Sequence, residues 1–448
     1  MGLRPPPRPP PRLHRPESAL VTVDLAPRSS HADDLRVPVP TGVRARVLGR
    51  AARALLARAA ARSGVAVTRA GDPVPAEPTI VLHAPDAVHR RIGTSRLIGF
   101  GEAYVAGEWD SPDLVAALTA LAERMPELVP QWLQSLRSLA ATARPRTEIG
   151  TPDHVRDNVS HHYDLSNDLF ATFLDETLTY SSALFSPAEI PDGEPGVTHA
   201  GPATDARWSA LAEAQHAKID RLLDAAGVGP GTRLLEIGTG WGELCLRAAA
   251  RGAVVRSVTL STEQRDLALD RIAAAGVADR VQVDLLDYRR IDGVYDAVVS
   301  VEMIEAVGAA HWNEYFGTLA RLVAPHGQIA VQAITMPHDR MLATLRTYTW
   351  IQKYVFPGGM LPSTEAVSDA ARTAGLAVVT RHRFGEHYAE TLRLWRERFL
   401  TDPESLPPPA DSAAFRRLWE FYLAYSEAGF RSGYLDVQQI VFAPEATR

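Results

Sequence analysis

Residues 233–242 read Arg-Leu-Leu-Glu-Ile-Gly-Thr-Gly-Trp-Gly, a short apolar strand that runs directly into three closely spaced glycines. Glycine adopts positive φ without steric cost, and its missing side chain lets a ligand approach the backbone. A helical stretch follows through Ala250. A strand, a glycine turn and a helix in this order are typical of nucleotide-binding α/β sheets, in which ligands bind at the carboxyl ends of the strands. This stretch therefore predicts both the fold class and the place of a site.

Further apolar segments repeat the pattern toward the C-terminus. Strands are predicted at residues 254–260, 280–284, 295–301 and 328–334, and helices at residues 243–250 and 261–275. Strands that alternate with helices at this spacing indicate a doubly wound, mainly parallel α/β sheet. We therefore assign residues 153–448 to one catalytic domain.

The spacing of the glycines separates two classes of ligand. The dinucleotide fingerprint is Gly-x-Gly-x-x-Gly, whereas Gly238, Gly240 and Gly242 place the third glycine one residue early. Glu236, two residues before the first glycine, suits a ligand that carries an ammonium group. Both details favour S-adenosylmethionine over a dinucleotide.

The ends of the second and third strands offer further contacts for such a ligand. Many sites of this fold place an acidic residue after the second strand for the ribose hydroxyls, but residues 259–264 read Thr-Leu-Ser-Thr-Glu-Gln. Glu263 or Gln264 is the candidate substitute. Asp287 and Tyr288, after the third strand, suit the adenine amino group and ring face.

The N-terminal third has a different character. Residues 1–40 are rich in Pro and Arg and are predicted to be disordered, since they cannot bury enough apolar surface; the alternative is a basic arm that touches anionic lipid. Residues 41–140 form a compact unit, and residues 141–152 form a linker. Within the compact unit we predict a helix at 44–62, a strand at 79–83, a turn-rich stretch at 99–110 and a helical region at 114–139.

Composition excludes several classes of protein. The 448 residues carry a formal charge of −6, which argues against nucleic acid as the main partner. A single cysteine, Cys245, excludes a disulfide framework and indicates a reducing compartment. The sequence contains no apolar run long enough to span a bilayer and no signal-peptide core. His161, His162 and His216 lack a third ligand at metal-site spacing, so we predict no metal. These features predict a cytoplasmic protein.

Several ordered motifs carry a specific resemblance. The sequence resembles the cyclopropane-fatty-acyl-phospholipid synthase family of methyltransferases over roughly residues 150–445, with a further similarity at residues 101–109. The matching segments are residues 162–170, 178–182, 214–218, 236–242, 301–308, 353–359 and 430–438. Chance similarity does not place so many motifs in the same order.

The resemblance implies a class I, Rossmann-like methyltransferase sheet of the seven-stranded type with helical acyl-binding insertions, and a smaller N-terminal α/β domain that docks on lipid. The family joins the methyl group of S-adenosylmethionine to the cis double bond of an acyl chain, usually in a phospholipid. The implied location is peripheral, on the inner face of the membrane. The implied cofactor-binding residues are Tyr180, Ser181, Glu236, Gly238, Gly240, Gly242, Thr259, Leu260, Ser261, Gln264, Asp287 and Tyr288.

The catalytic residues of the family match only in part. Glu305 and Tyr388 correspond to residues beside the bicarbonate that serves as base in cyclopropane-forming relatives. Family ligands are replaced, however: Ser182 and Ser426 stand for cysteines, and Gln332 and Ala306 stand for histidines.

Glu302 stands where relatives typically have glycine. We hypothesise that the Glu302 carboxylate replaces bicarbonate as the base, because a carboxylate in an apolar pocket has a raised pKa that suits proton abstraction. The alternatives are that Glu302 caps the strand end or pairs with an arginine, and that bicarbonate is still the base.

Methyl addition to an alkene leaves a carbocation, which aromatic faces stabilise. Tyr348, Trp350, Tyr354 and Phe356 form an aromatic cluster that could supply those faces; the alternative is an ordinary core.

The altered bicarbonate ligands favour a methylene-branched product, which a separate reductase would convert to a methyl branch. The alternatives are a cyclopropane synthase proper, a methyltransferase for a soluble small molecule, and a lipid-binding protein without catalysis. The sequence leaves the oligomeric state open, a homo-oligomer included.

Overall fold

The computed structural model describes residues 37–124, 166–204, 206–345, 347–403 and 406–445. The predicted linker, most of the predicted tail and the second part of the predicted helical region at 114–139 lie outside the described residues. So do His161 and His162.

A small N-terminal unit opens the described part of the chain. Its elements are α1 (Gly42–Ser63), β1 (Ala66–Arg69), β2 (Thr79–Leu82), α2 (Pro85–Val105), β3 (Trp109–Asp110) and α3 (Leu114–Glu123). β1 and β2 pair in parallel, and β3 joins β2 antiparallel. The predicted helix at 44–62 and strand at 79–83 are confirmed, and the helical region that begins at 114 is confirmed as far as the description reaches.

The turn-rich stretch predicted at 99–110 is wrong in its first half, because α2 continues through Val105. The glycines there permit close packing instead of turns. A Cβ on Gly99 would lie 2.1 Å from the carbonyl oxygen of Arg91, and one on Gly101 would lie 2.5 Å from the indole of Trp350. α2 bends at Arg96, which has a φ of 57°.

Within the described residues, the rest of the chain builds a nine-stranded sheet, here called the large sheet, with helices on both faces. Its strands are β4 (Glu189–Pro191), β5 (Val197–Ala200), β6 (Arg233–Ile237), β7 (Val254–Thr259), β8 (Val281–Leu285), β9 (Tyr295–Val301), β10 (Val323–Thr335), β11 (Leu376–Arg383) and β12 (Asp436–Pro444).

The helices of this part vary from one turn to five. They are α4 (Asn167–Phe173), α5 (Leu211–Ala225), α6 (Glu243–Ala250), α7 (Thr262–Ala274), α8 (Ile304–Val307), α9 (Trp312–Leu322), α10 (His338–Thr344), α11 (Trp350–Tyr354), α12 (Thr364–Thr373), α13 (Gly385–Thr401) and α14 (Ala413–Arg431).

The large sheet has the order β4-β5-β11-β12-β10-β9-β6-β7-β8. The run from β10 to β8 is parallel, whereas β12 is antiparallel to both of its neighbours. All five predicted strands are present, and β10 begins at Val323 instead of residue 328. The doubly wound, mainly parallel fold is therefore confirmed. β6 lies inside the parallel run, so the glycine turn at its carboxyl end is flanked by the ends of β7 and β9.

The N-terminal unit and the helices of the large sheet share one core. α14 packs against α2, α3 and α13. The Arg417 guanidinium in α14 donates to the carbonyl oxygens of Tyr104 at 2.7 Å and Trp109 at 3.0 Å. From α11, Lys353 Nζ donates to Glu102 Oε1 in α2 at 2.6 Å. Contacts on several elements thus hold the small unit against the larger one.

Among the helices of the described ranges, none combines the length and the apolar composition that crossing a membrane requires.

Candidate active site

The glycine turn between β6 and α6 borders a cavity. Gly238, Gly240 and Gly242 have φ angles of 97°, 53° and 91°, all in the left-handed region that favours glycine. A Cβ on Gly238 would lie 3.1 Å from Cγ of Met303, and at Gly240 no described atom lies within 4 Å of that position. The turn therefore presents bare backbone where a side chain would narrow the cavity.

The cavity gathers most of the predicted cofactor-binding residues. Those that line it are Tyr180, Ser181, Glu236, Gly238, Gly240, Thr259, Leu260, Gln264 and Tyr288. Lys218, Trp241 and Glu302 line the same space. The structure thus brings the segment around residue 180, the glycine turn and the ends of β7, β8 and β9 to one place.

Three predicted residues lie beside this cavity without lining it in the described part of the chain. A Cβ on Gly242 would meet Cβ of Ala268 at 3.0 Å, so this glycine allows α6 and α7 to pack closely. Ser261 caps the first turn of α7. The Asp287 carboxylate accepts hydrogen bonds from the Arg289 guanidinium at 2.9 and 2.6 Å.

The Glu236 side chain is hydrogen-bonded to residues next to the glycine turn. Its Oε2 accepts hydrogen bonds from Ser257 Oγ at 2.6 Å and from Cys245 Sγ at 2.8 Å, and Thr239 Oγ1 lies 2.7 Å from Ser257 Oγ. Burial raises the pKa of Glu236 to about 7. A carboxyl group so placed links β6, β7 and α6 while it borders the cavity.

Glu302 is a partly exposed residue at the end of β9, and it faces the cavity. Its Oε1 accepts hydrogen bonds from the Ser182 amide at 3.0 Å and Gln332 Nε2 at 2.8 Å. Its Oε2 accepts one from the Tyr388 hydroxyl at 2.6 Å. Loss of hydration raises the pKa of Glu302, and the charge of Lys218 followed by these hydrogen bonds oppose that rise. Neither of the proposed alternatives, strand capping or an arginine pair, matches these contacts.

The backbone of Glu302 is in an unusual conformation. Its φ of 49° is one of three positive values at non-glycine residues in the described chain. Such a conformation costs of order 1–3 kcal/mol for a residue with a Cβ. Strain of this kind persists where the surroundings hold the residue in place, and here three hydrogen bonds hold the carboxylate.

Glu305 lies one helical turn further on, in α8. Its Oε1 accepts a hydrogen bond from the Ile334 amide at 2.6 Å, and its buried Oε2 has no partner among the described residues. Burial, and secondarily the charge of Glu302, raise the pKa of Glu305 to about 8. At neutral pH Glu305 is therefore mostly protonated.

The predicted aromatic cluster does not belong to the described lining of this cavity. Trp350 packs on Phe421 with ring centroids 4.8 Å apart, and the Tyr354 hydroxyl donates to Glu102 Oε1 at 2.7 Å. Phe356 lies 5.9 Å from the ring of Tyr422. Of the described residues that line the cavity, none is Tyr348, Trp350, Tyr354 or Phe356. These rings form part of the core between the N-terminal unit and α14.

Other rings surround Tyr388, and of these the sequence assigned only Tyr180 to the site. Tyr388 lies 4.6 Å from Phe430 and 6.2 Å from Trp395, measured between ring centroids, and Trp395 lies 5.3 Å from Tyr180. The Tyr180 and Tyr422 hydroxyls are 2.7 Å apart. The helical periodicity of α13 and α14 predicts a core face, but only the fold shows that this face meets Glu302.

Lys218 is a further residue that the sequence did not assign to the site. It is fully buried, lines the cavity and donates from Nζ to Ser181 Oγ at 2.5 Å. A signal was present, because this chain uses arginine almost throughout and has lysine only at 218 and 353. His216 on the same helix pairs with Glu243 at 2.9 Å.

The arrangement combines two chemical capacities. Glycine backbone and polar strand ends suit a nucleotide-like ligand. A carboxylate with a raised pKa, held by two N–H donors and by the hydroxyl of Tyr388, whose ring belongs to an aromatic cluster, suits removal of a proton from an apolar, positively charged species.

Known proteins resemble this chain over both halves. The sequence model of the family described as "Mycolic acid cyclopropane synthetase" matches residues 151–440. The tuberculostearic acid methyltransferase UfaA1 of Mycobacterium tuberculosis is 56% identical over 395 residues, which cover 88% of this chain and 89% of UfaA1. The cyclopropane-fatty-acyl-phospholipid synthase of Escherichia coli K12 is 30% identical over 392 residues, covering 85% and 91% of the two chains.

A solved structure of a cyclopropane synthase resembles the fold of this chain. The mycolic acid cyclopropane synthase CmaA1, solved in complex with SAH and CTAB, superposes with a TM-score of 0.54 at 30% sequence identity. The match covers 64% of this chain and 97% of that chain.

Proposed function

The chain belongs to the mycolic acid cyclopropane synthetase family, and from this premise we propose that it transfers the methyl group of S-adenosylmethionine to the cis double bond of a phospholipid acyl chain. The product that we propose is a methylene-branched chain, the precursor of a mid-chain methyl branch. The 56% identity with a tuberculostearic acid methyltransferase supports this choice of product. A reductase that acts on the exocyclic double bond would complete the branch.

The observation that carries the proposal is the place of the Glu302 carboxylate. Relatives that use bicarbonate hold it with side chains that are replaced here by Ser182 and Gln332. In this structure the Gln332 side chain and the backbone amide of Ser182 donate hydrogen bonds to Glu302 itself. Tyr388, which the resemblance places beside bicarbonate, donates to the same carboxylate. The Glu302 carboxylate thus occupies the place among these donors that bicarbonate would otherwise take.

The reaction begins when the alkene attacks the methyl carbon of the sulfonium. The carbon–sulfur bond breaks, S-adenosylhomocysteine leaves, and the positive charge moves to the neighbouring alkene carbon. A hydride shift places the cation on the carbon that bears the new methyl group. Glu302 then accepts a proton from that methyl group, and the electrons of the broken C–H bond form the exocyclic double bond. Exclusion of water prevents capture of the cation as an alcohol.

The two carboxyl groups would have different roles. The charged form of Glu302 is favoured by its hydrogen-bond donors and by the charge of Lys218, and Glu302 accepts the proton. Glu305, with a pKa of about 8, is mostly neutral at pH 7 and adds little negative charge beside the base. Two titratable groups with such different environments are typical of acid–base sites.

We expect expression of the chain in a bacterial host rich in oleoyl phospholipid to give fatty acid methyl esters heavier by one CH₂ group. Gas chromatography with mass spectrometry would place that group as an exocyclic methylene. The matched control is the Gly240→Val variant, whose side chain would occupy the cavity beside the turn and suppress the new ester. A cyclopropane ring would overturn the proposed product, and unmodified oleate would overturn the proposed function.

The N-terminal unit is the proposed lipid-docking surface. α1 carries six arginines and no acidic residue, and its exposed face also presents Val43, Val47 and Leu55, which are 70%, 57% and 66% exposed. A basic helix with exposed aliphatic side chains is typical of binding to anionic bilayers. The occupant that we propose is a phospholipid surface of net negative charge, which would give the catalytic unit access to acyl chains.

Vesicle sedimentation tests this surface. Replacement of Arg46, Arg50 and Arg53 by glutamine should weaken binding to phosphatidylglycerol vesicles about 100-fold, since each arginine contributes about 1 kcal/mol near such a surface. A control with Arg280→Gln and Arg372→Gln, two exposed positions of the catalytic unit, should bind as the unchanged chain does. The assignment would be contradicted if the unchanged chain bound neutral vesicles as tightly as phosphatidylglycerol vesicles. It would also be contradicted if the control variant lost as much affinity as the variant of α1.

A further inference from the structure

Lys218 carries an ammonium group in the interior of the protein. Its side chain is fully buried, and taking a charged group out of water costs several kcal/mol unless an opposite charge or hydrogen bonds offset that cost. The partner that its Nζ contacts among the described residues is the neutral hydroxyl of Ser181, at 2.5 Å. One neutral hydrogen bond does not explain an ammonium at this position, so a further role is required.

Lys218 contacts, on two sides, the immediate neighbours of the groups that hold Glu302. Through Nζ it reaches Ser181, the residue directly before the Ser182 amide that donates to Glu302. Through its carbonyl oxygen it accepts a hydrogen bond from Gln439 Nε2 at 2.9 Å. Gln439 Nε2 also lies 3.1 Å from Gln332 Oε1, and the Gln332 amide donates to Glu302.

The charges around this pair come from several elements. Lys218 on α5 lines the same cavity as Glu302 at the end of β9, and its charge interacts with those of Glu302 and of Asp175, which follows α4. Glu302 in turn faces the Tyr388 hydroxyl on α13 and Glu305 on α8. Asp175 is buried and has a raised pKa, mainly because of that burial, and Glu305 is mostly neutral. Glu302 is therefore the carboxylate whose ionisation a charge on Lys218 favours most directly.

We infer that Lys218 is a positioning residue whose positive charge keeps Glu302 ionised and ready to accept a proton. This inference rests on the proposed function of Glu302 as base. Lys218 does not take part in bond making; it acts on the free energy of the charged form of Glu302. After proton transfer Glu302 is neutral, and its proton passes to solvent when product leaves, which restores the pair.

The direction of the pH effect follows from the pKa shifts. Burial lowers the pKa of Lys218 to about 8, while Glu302 and Asp175 oppose this. Lys218 lowers the pKa of Glu302 against the rise that burial causes. Removal of the lysine charge therefore moves the ionisation of Glu302 to higher pH, and the acid side of the rate profile moves with it.

The first experiment compares Lys218→Met with Lys218→Arg in methyl transfer from labelled S-adenosylmethionine to oleoyl phospholipid vesicles between pH 6 and 9.5. We expect Lys218→Met to lose at least tenfold in kcat at pH 6.5 and to regain most of it at pH 9, with KM unchanged. Lys218→Arg, which keeps the charge, should retain the original acid side. Ser181→Ala removes the hydroxyl but not the charge, so it should leave the position of the acid side unmoved.

The second experiment needs no activity. Because the chain has only Lys218 and Lys353, protein labelled with ¹³C at lysine Cε gives two side-chain signals. We expect the Lys218 signal to titrate near pH 8 and to shift to lower pH in Glu302→Gln.

The outcomes separate the two proposals. The role of Lys218 would be overturned if the pKa of Lys218 were the same in Glu302→Gln as in the unchanged chain. It would also be overturned if Lys218→Met lost the same fraction of kcat at every pH, or if it raised the KM for S-adenosylmethionine without moving the acid side of the rate profile. A wild-type chain that never methylates lipid would overturn the proposed function first, whatever the NMR titration shows.

Discussion

Glu302→Gln should abolish formation of the branched acyl product. The amide keeps the size and the hydrogen-bonding reach of the side chain but cannot accept a proton, and general bases contribute about 10²–10⁴-fold to rates. We expect transfer of labelled methyl groups into extracted lipid to fall by at least the upper part of that range. Binding of S-adenosylhomocysteine, measured by calorimetry, should stay within a factor of three.

A second variant at the same position separates chemistry from folding. Glu302→Gly replaces a residue at a φ of 49° with the one that tolerates it, so its thermal midpoint should equal or exceed that of the unchanged chain. It should nevertheless be inactive, and added formate or bicarbonate should restore part of its rate by entering the vacated space. Full turnover in Glu302→Gln would remove Glu302 from the mechanism.

Gly101→Ala should destabilise the chain although it adds only one methyl group. A Cβ at Gly101 would lie 2.5 Å from Cδ1 and Nε1 of Trp350 and 3.0 Å from Cε1 of Phe421. Both rings are buried, so the conflict requires a shift of α2 against α11 and α14. Overpacking of this kind costs about 1–3 kcal/mol, which would lower the thermal midpoint and reduce lipid methylation.

The matched control is another glycine within a helix. Gly317 in α9 is exposed, and no described atom lies within 4 Å of its Cβ position. Gly317→Ala should therefore stabilise the chain by up to about 1 kcal/mol through helix propensity. Differential scanning fluorimetry of the two variants gives shifts of opposite sign. Shifts of the same sign would show that the contact between Gly101 and Trp350 is not tight.

The sequence predicted the parallel part of the large sheet because apolar strands and amphipathic helices alternate there with regular spacing. It did not predict β11 and β12. β11 has exposed residues along most of its length, so its pattern lacks the apolar run of a buried strand. Residues 99–105 were assigned to turns because glycine usually marks turns, whereas here Gly99 and Gly101 allow backbone and indole to approach within a helix.

The candidate site was partly predictable for a related reason. Gly238 and Glu302 directly follow β6 and β9, which are neighbouring parallel strands, so the fold class alone places both residues at the same edge of the sheet. Phe430 reaches Tyr388 only through the packing of α14 on α13, which leaves no local signal, whereas Trp395 follows Tyr388 two turns later on α13 itself. The aromatic segment at 348–356 was dense in sequence, but its partners Gly101, Glu102 and Phe421 come from distant parts of the chain.

β12 comes after every other strand in the chain, yet it lies between β10 and β11 in the large sheet. The strands β4, β5 and β11 can therefore join the parallel strands only after the segment 436–444 has inserted between them. Until that step the edge of β10 is open to pairing with other chains. A ribosome-tethered or C-terminally shortened chain would present that edge, and chaperone capture or aggregation during synthesis should depend on how quickly this closing strand becomes available.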